Sequence, residues 1–424
     1  MKISFAIVAA ATVVATTLPA QTAINVTGAT DITISGLLAV GAKDSQITNT
    51  RAAHTGAKAE QRLDDNTSRL VISSTSKITD GWRVIFRVES RFQADVRPST
   101  PIAPGGAGTG NYAGWADGDT WGGIASPWGS LVFGKSTLYY TDTISMPYLG
   151  MPAPGEGYRI WDDNGLGTFN MLDSVPIVYK GGTVTNSYTN GNTRSQNVLR
   201  FDSVAFNGFK ASLAYTKNPD GDENRYVAPG TAGYARNYES GGTWYFRGLY
   251  DKGPIDASLS YENKQVQGGT YTSTATSGPL DMQAIRLGVS YTFDSKFKVG
   301  VVFDNTSYDN GVNQNNNASV VNHSARRSVF LVPISYSFGD HAVYATYAKA
   351  GNVSSVSNTG ASQLNLGYDY ALTKRAFAGV YFTGIVNQSN AHYAPFLANT
   401  TFGPTGNNTG ENFHQIGIDF NYWF

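Results

Sequence analysis

Apolar and polar residues alternate along this chain with a period of two. In the final segment, each apolar residue is followed or preceded by a polar residue or glycine: Ile416, Ile418, Phe420, Tyr422 and Phe424 on one side, and Gln415, Gly417, Asp419 and Asn421 on the other. Successive residues of a β-strand point to opposite faces, so this strand has one apolar and one polar face. The chain therefore forms strands whose two faces meet different surroundings.

The same alternation recurs upstream, for example at 81–92, 207–217, 255–261, 297–303 and 364–370. Short turn signals join these segments in pairs, while longer stretches rich in Gly, Ser, Asn and Thr separate one pair from the next. We count eight long loops and seven short turns, which predicts sixteen strands. Short turns on one side and long loops on the other are typical of outer-membrane barrels.

The surroundings of the apolar face are predicted to be lipid. After residue 20 no apolar run reaches the length of about 20 residues that a membrane-crossing helix needs. Strands that cross lipid must close on themselves, because every backbone polar group needs a partner. We therefore predict an all-β fold, a sixteen-stranded antiparallel transmembrane β-barrel over residues 21–424. A soluble β-sandwich is the alternative, although it would seldom end on an exposed aromatic cluster.

Residues 1–20 have the pattern of an export signal. Lys2 precedes a short apolar core at 3–15, and small residues with a proline lead to a cleavage site after Ala20. Leu18 is larger than usual at its position before the cut, so the site is defined only to within a few residues. Together with the predicted barrel, this signal places the mature chain in the outer membrane of a Gram-negative bacterium.

Composition argues against several other classes of protein. The chain has no Cys, which excludes disulfides and thiol catalysis, and its formal net charge of zero does not call for nucleic acid. The five His residues do not cluster with Ser and Asp, so we expect neither an enzyme nor a cofactor or metal site. The Gly-rich segment 105–110 lacks the Lys of a P-loop, and the acidic segment at 220–224 lacks the Gly of an EF-hand loop.

Several islands of sequence are characteristic of one known family. They are Ser68–Leu70, Gly81–Glu89, Gly129–Lys135, Phe201–Ser203 with Phe206–Phe209, Gly367–Arg375 and the terminal Phe424. These islands resemble the general porins of Gram-negative bacteria, in particular the trimeric porins of β-proteobacteria. The resemblance implies a homotrimer in outer-membrane lipid and lipopolysaccharide, which passes small hydrophilic solutes and ions by passive diffusion. The sequence departs from the family at Val71–Lys77 and in its third loop, so pore selectivity does not carry over.

Loop 3, at about 138–194, is the longest of the eight loops. The resemblance implies that this loop folds into the lumen and narrows the channel there. It carries four acidic residues that we expect to line the pore: Glu156, Asp162, Asp163 and Asp173. The alternative is an ordinary solvated loop outside the barrel.

The opposite wall of the constriction is predicted from strand parity alone. If Trp82, Val84, Phe86 and Val88 face lipid, the residues between them must face the lumen, since an arginine at the bilayer midplane costs about 2–4 kcal/mol. The predicted basic wall consists of Arg69, Arg83, Arg87 and Arg91, with Lys135 as a further candidate, and Glu89 is its acidic member.

This arrangement predicts a field across the pore and a weak preference for anions. Neutralisation of the arginines by Glu89 and the loop acids, with no role in selectivity, is the alternative. The sequence thus predicts a general diffusion channel. A substrate-selective channel of the same fold is the second hypothesis, and a structural, adhesive or enzymatic barrel is a minor third.

Overall fold

The structure is a computed structural model that describes residues 22–25, 30–50, 54, 58–65, 68–92, 94, 115–139, 142–144, 174–178, 184–189, 195–217, 242–266, 280–309, 324–354, 356–391, 393 and 409–424. In this part of the chain, no helix is long and apolar enough to cross a membrane. The predicted export signal at 1–20 lies outside the described residues.

Strands make up most of the described residues. In chain order they are β1 (Thr22–Asn25), β2 (Thr30–Thr48), β3 (Ala59–Asp65), β4 (Arg69–Thr79), β5 (Trp82–Arg91), β6 (Thr120–Ser126), β7 (Gly129–Ser136), β8 (Ser174–Val178), β9 (Val184–Thr189), β10 (Ser195–Ser203), β11 (Phe209–Lys217), β12 (Gly242–Lys252), β13 (Ile255–Val266), β14 (Leu280–Phe293), β15 (Phe297–Asp309), β16 (Ser324–Phe338), β17 (His341–Ala350), β18 (Ala361–Ala371), β19 (Ala376–Asn387) and β20 (Asn412–Trp423).

Sixteen antiparallel strands close into a barrel, which confirms the predicted fold class. β3 and β4 together form the second strand of the barrel, because both pair with β2, one with each half of it. The series then runs through β5, β6 and β7 and continues from β10 to β20. The last strand returns to the first, with Leu37 opposite Trp423 and Thr48 opposite Asn412.

The seam between the two ends of the barrel is tightly packed. The backbone N–H of Gly36 donates to the carbonyl of Phe424 at 3.0 Å, and the N–H of Phe424 donates back to Gly36 at 3.2 Å. The Phe424 ring lies over this glycine, so a Cβ at position 36 would come within 2.4 Å of the ring. A side chain at this position would therefore obstruct closure.

The two faces of the barrel have opposite polarity, as the alternation predicted. In β20, Ile416 and Ile418 are 56% and 60% exposed, whereas Gln415 and Asp419 are 1% and 6% exposed. A soluble protein would bury the isoleucines and expose the glutamine and the aspartate. The exposed apolar face is instead suited to lipid, and the polar face is turned inward.

Aromatic side chains gather at the end of the barrel where the short turns lie. Trp82 and Trp128 meet edge to face with ring centroids 6.0 Å apart, and Tyr422 lies 6.2 Å from Phe424. Rings with one apolar and one polar side favour the boundary between hydrocarbon and headgroups. This end of the barrel therefore has the aromatic girdle of a membrane interface.

The predicted third loop, 138–194, lies between β7 and β10 and contains a hairpin that the sequence did not predict. This segment contains β8 and β9, which pair with each other in a separate two-stranded sheet. The sequence between Ser174 and Val184 carries β-branched residues around two glycines, a composition that favours a hairpin. The first long loop lies between Thr48, where β2 ends, and Ala59, where β3 begins.

Candidate functional site: the inner wall of the barrel

The inner wall carries most of the buried charge in the described residues. In β14, Ile285 and Leu287 are exposed on the outer face, while Arg286 between them is buried on the inner face. The same alternation places Arg200 inside β10, between the exposed Leu199 and Phe201. Charges on this wall avoid lipid and can meet one another or water in the lumen.

Glu89 is the centre of a cluster of arginines on β4 and β5. Its carboxylate lies 3.0 Å from Nη2 of Arg87, 3.3 Å from Nε of Arg91 and 3.8 Å from Nη1 of Arg69. Arg69 and Arg91 are direct partners across the two strands. One carboxylate is thus shared by three guanidinium groups, which leaves a local excess of positive charge.

Of the other two predicted basic residues, Lys135 lies close enough to Glu89 and Arg91 to interact with them electrostatically, whereas Arg83 lies apart from this cluster. Arg83 is exposed near the short turn, and its distance along β5 from Glu89 is about 20 Å for six residues of strand. Lys135 in β7 donates to the backbone carbonyl of Ala116 at 2.5 Å. The structure therefore brings Arg69, Arg87 and Arg91 together around Glu89, and it does not bring Arg83 to them.

Two further carboxylates adjoin the cluster just before β6. Asp117 accepts the backbone N–H of Arg91 at 2.8 Å, and Asp119 accepts both the N–H and the hydroxyl of Thr137 at 3.0 Å. Burial raises the pKa of Asp119, and the nearby negative charge of Glu89 raises it further. These carboxylates reduce the positive excess on this part of the wall.

The four acidic residues predicted to oppose this wall lie outside the described residues. They are Glu156, Asp162, Asp163 and Asp173. Their position relative to the basic cluster stays a prediction, as does the course of most of loop 3.

Of the residues that follow β7, 137–139 and 142–144 are described, and Tyr139, Asp142 and Ile144 contact the inner wall of other strands. The carboxylate of Asp142 accepts hydrogen bonds from Tyr245 of β12 at 2.5 Å and from Ser260 of β13 at 2.6 Å. The same carboxylate lies 3.1 Å from Nη1 of Arg247. Asp142 is thereby tied to two strands that are not neighbours of β7.

Tyr139 makes a second set of contacts with the wall, on β14 and β15. Its hydroxyl donates to Asp304 at 2.6 Å, and Nε of Arg286 donates to the same carboxylate oxygen at 2.9 Å. The guanidinium of Arg286 also lies over the Tyr139 ring, 4.6 Å from its centroid, and donates to the carbonyl of Asp142 at 2.6 Å. Burial, together with the negative charge of Asp304, holds the pKa of Tyr139 well above its ordinary value.

Ile144 adds an apolar contact to these polar ones. It is fully buried, and a Cβ on Gly300 of β15 would lie 2.5 Å from its Cδ1. The glycine leaves room for the isoleucine against the wall. We call Tyr139, Asp142 and Ile144, with the wall residues they contact, the clasp.

Several charged residues inside the barrel were not among those predicted. They are Arg200, Arg247, Arg286 and Arg327, with Asp142, Asp202 and Asp304. Strand parity could have predicted that the four arginines face inward, since the residues before and after each of them lie on the outer face. The contacts of Asp142 could not be read from parity, because this residue follows β7 and its partners are more than 100 positions away.

The inner wall changes character between β16 and β20. Neutral side chains form hydrogen bonds from strand to strand here: the Asn365 amide donates to Thr346 at 2.9 Å, and Gln363 donates to Thr383 at 3.1 Å. Nearer the long loops this wall also carries apolar residues, with Leu331 and Ile385 in one buried cluster. In the described part of the chain, no three His, Asp or Glu side chains are placed to share a metal ion.

A closed barrel with an apolar exterior and a charged, polar interior defines a pore protein of the bacterial outer membrane. The chain belongs to the Gram-negative porin family, whose sequence model matches residues 6–388. It is an outer-membrane porin, and the resemblance noted in the sequence is confirmed. No curated protein matches the chain significantly.

Solved structures share the fold at low sequence identity. An anion-selective porin from Comamonas acidovorans is 17% identical with a TM-score of 0.63, and the match covers 93% of this chain and 100% of that one. OmpT, an outer membrane protein of Vibrio cholerae solved in a trimer form, is 12% identical with a TM-score of 0.58 over the same shares. OmpF of Salmonella typhi is 14% identical with a TM-score of 0.51, covering 95% of this chain and 100% of that one.

Proposed function

We propose that this porin forms a water-filled channel through which small hydrophilic solutes and ions cross the outer membrane by passive diffusion. The inward-facing charge carries this proposal: arginines and carboxylates line the wall of a closed barrel, where a dry interior would make them costly. A sixteen-stranded barrel is also wide enough that side chains alone do not fill it. The family and the fold indicate a channel rather than an enzyme.

A liposome-swelling assay tests this proposal. Liposomes that contain the purified protein should swell in isotonic solutions of small neutral sugars, and the rate should fall as the sugars become larger. Protein that was denatured before reconstitution is the control. An absence of swelling with folded protein would contradict the proposal.

We extend the proposal to a weak preference for anions. Three arginines share the carboxylate of Glu89, and the similar barrel from Comamonas acidovorans is anion-selective. Asp117 and Asp119 offset part of the positive charge, so the preference is expected to be small. A substrate-selective channel differs in one respect: its conductance would saturate with a particular solute and be blocked by it.

We further propose that the working unit is a homotrimer in outer-membrane lipid and lipopolysaccharide, exported by a signal that is removed after Ala20. The trimer form of the similar Vibrio cholerae protein supports the oligomeric state. Chemical cross-linking in mild detergent should yield dimers and trimers, and a product that stays monomeric would contradict it. Sequencing of the mature N-terminus tests the cleavage site.

A further inference from the structure

Arg327 lies on the inner wall of β16, near the long-loop end of the barrel. It is 4% exposed and shares the inner face of β16 with the buried Val329. Phe330, on the opposite face of the strand, is exposed. Its partner across the ladder to β15 is Thr306. The position is on the lumen side but on different strands from the arginine cluster around Glu89.

The guanidinium of Arg327 is held against one aromatic ring. Its Nη1 donates to the hydroxyl of Tyr393, and its carbon lies 5.0 Å from the centroid of that ring. Tyr393 is itself fixed in place by Asn387, whose side chain accepts from the Tyr393 N–H at 3.1 Å and donates to its carbonyl at 2.8 Å. The arginine is therefore held in a defined position.

Unlike the other buried arginines of the inner wall, Arg327 has no counter-ion among the described residues. Arg200 pairs with Asp202 and Arg247 pairs with Asp142, but Arg327 has no carboxylate within ion-pair distance among the described residues. Its Nε is buried and makes no hydrogen bond to any of the described side chains or backbone groups.

The nearest acidic side chain on β15 is already occupied. Both oxygens of Asp304 accept hydrogen bonds, Oδ2 from Arg286 and Tyr139 and Oδ1 from Thr306. Part of the wall beside Arg327 is apolar, with Val329 and Ala391 in the same buried cluster as Tyr393. A buried charge in such surroundings is costly unless something neutralises it.

We propose that Arg327 and Tyr393 form a binding site for an oxyanion group, a carboxylate or a phosphate, on a solute that passes through the lumen. A guanidinium presents parallel N–H donors that match two oxygens of such a group, and an anion here would neutralise a charge that no described carboxylate compensates. The inference rests on the proposed channel function, and it makes the porin a channel that retains anionic solutes briefly on their way through.

Block of single-channel current by inorganic phosphate tests the site. In planar bilayers with potassium chloride, phosphate should reduce the current through the native protein in a saturable way. Arg327→Gln should raise the half-blocking concentration about tenfold, the effect of losing a charge-assisted pair of hydrogen bonds. Arg326→Gln is the matched control, since Arg326 is the exposed neighbour on the same strand and should leave block unchanged. A parallel series with acetate separates carboxylate from phosphate recognition.

Isothermal titration of the detergent-solubilised protein with phosphate measures the same site without current. A heat of phosphate binding that is present in the native protein and lost in Arg327→Gln supports the site. This result would hold even if the protein did not conduct, and in that case only the proposed channel function would fail. Tyr393→Leu is the second variant, and it should weaken block because the ring and hydroxyl that hold the arginine are gone. The inference would be overturned if phosphate blocked Arg327→Gln and Tyr393→Leu as strongly as the native protein. It would also be overturned if Arg326→Gln lost as much phosphate block as Arg327→Gln.

Discussion

The hydroxyl of Tyr245 in β12 donates a 2.5 Å hydrogen bond to the carboxylate of Asp142, which follows β7. Arg247, two residues further along β12, pairs with the same carboxylate at 3.1 Å. These contacts bind the start of loop 3 to the wall of the barrel, through partners that are far apart in sequence. The clasp therefore determines where the loop leaves the wall.

Replacing Asp142 with Ala should loosen this attachment. Arg247, whose side chain is 14% exposed, would lose its ion-pair partner, and breaking a largely buried pair costs up to about 3–5 kcal/mol. We expect a lower denaturation midpoint and larger fluctuations of single-channel current, because the start of loop 3 is no longer held. Asp80→Ala is the control: Asp80 pairs with Lys77 at the surface, so its loss should change neither quantity. Native-like stability and quiet current in Asp142→Ala would contradict the role of the clasp.

Replacing Glu89 with Gln should strengthen the preference for anions. Arg69, Arg87 and Arg91 would keep their charges and lose the carboxylate that they share. The reversal potential across a potassium chloride gradient should move towards that of chloride. Asp340→Asn, in an exposed turn, is the control for the loss of one negative charge. A shift of the reversal potential towards that of potassium would contradict this prediction.

Arg87 and Arg83 should contribute unequally to selectivity. Arg87 lies in the cluster and its side chain is 20% exposed, whereas Arg83 is exposed near the short turn. At a salt concentration of 0.1 M, exposed charges that are more than about 10 Å apart are largely screened from one another. Arg87→Ala should therefore move the reversal potential towards potassium more than Arg83→Ala does. An unchanged reversal potential in the double variant would mean that the basic wall does not set selectivity.

The seam of the barrel should be sensitive to side-chain size at position 36. In Gly36→Val the new side chain would meet both the Phe424 ring and the carbonyl of Arg69, which lies 2.5 Å from an added Cβ. We expect a large loss of folded, heat-modifiable protein on electrophoresis. In Gly122→Val, where the nearest atom lies 3.9 Å from an added Cβ, folding should be retained. Equal yields of the two variants would argue against a tight seam.

The barrel itself could be predicted from the sequence because its physical cause is local. A strand that separates lipid from a polar lumen must alternate residue by residue, so Ile416 and Gln415 already report opposite faces. Turns and loops then give the strand count. The hairpin of β8 and β9 was missed because it lies within a loop and has no counterpart in the alternation of the barrel.

The contacts inside the lumen depend on the closed barrel and could be predicted only in part. Parity identifies Arg286 as inward-facing, but nothing local indicates that Tyr139, 147 positions earlier, provides the carbonyl that accepts its hydrogen bond. Similarly, Arg327 and Tyr393 meet because the chain returns over the wall after β19. Such pairs become visible only once the strands are arranged around the barrel.

In the proposed channel, the polar face of the strands lines a water-filled pore while the apolar face meets lipid. The chain has no cysteine, so single cysteines can be placed on either face without background. Arg87→Cys lies on the inner face and Phe86→Cys on the adjacent outer face. Addition of a charged, water-soluble methanethiosulfonate reagent to a planar bilayer should change the current through Arg87→Cys and leave that through Phe86→Cys as it was. A response at position 86 with none at position 87 would contradict the account.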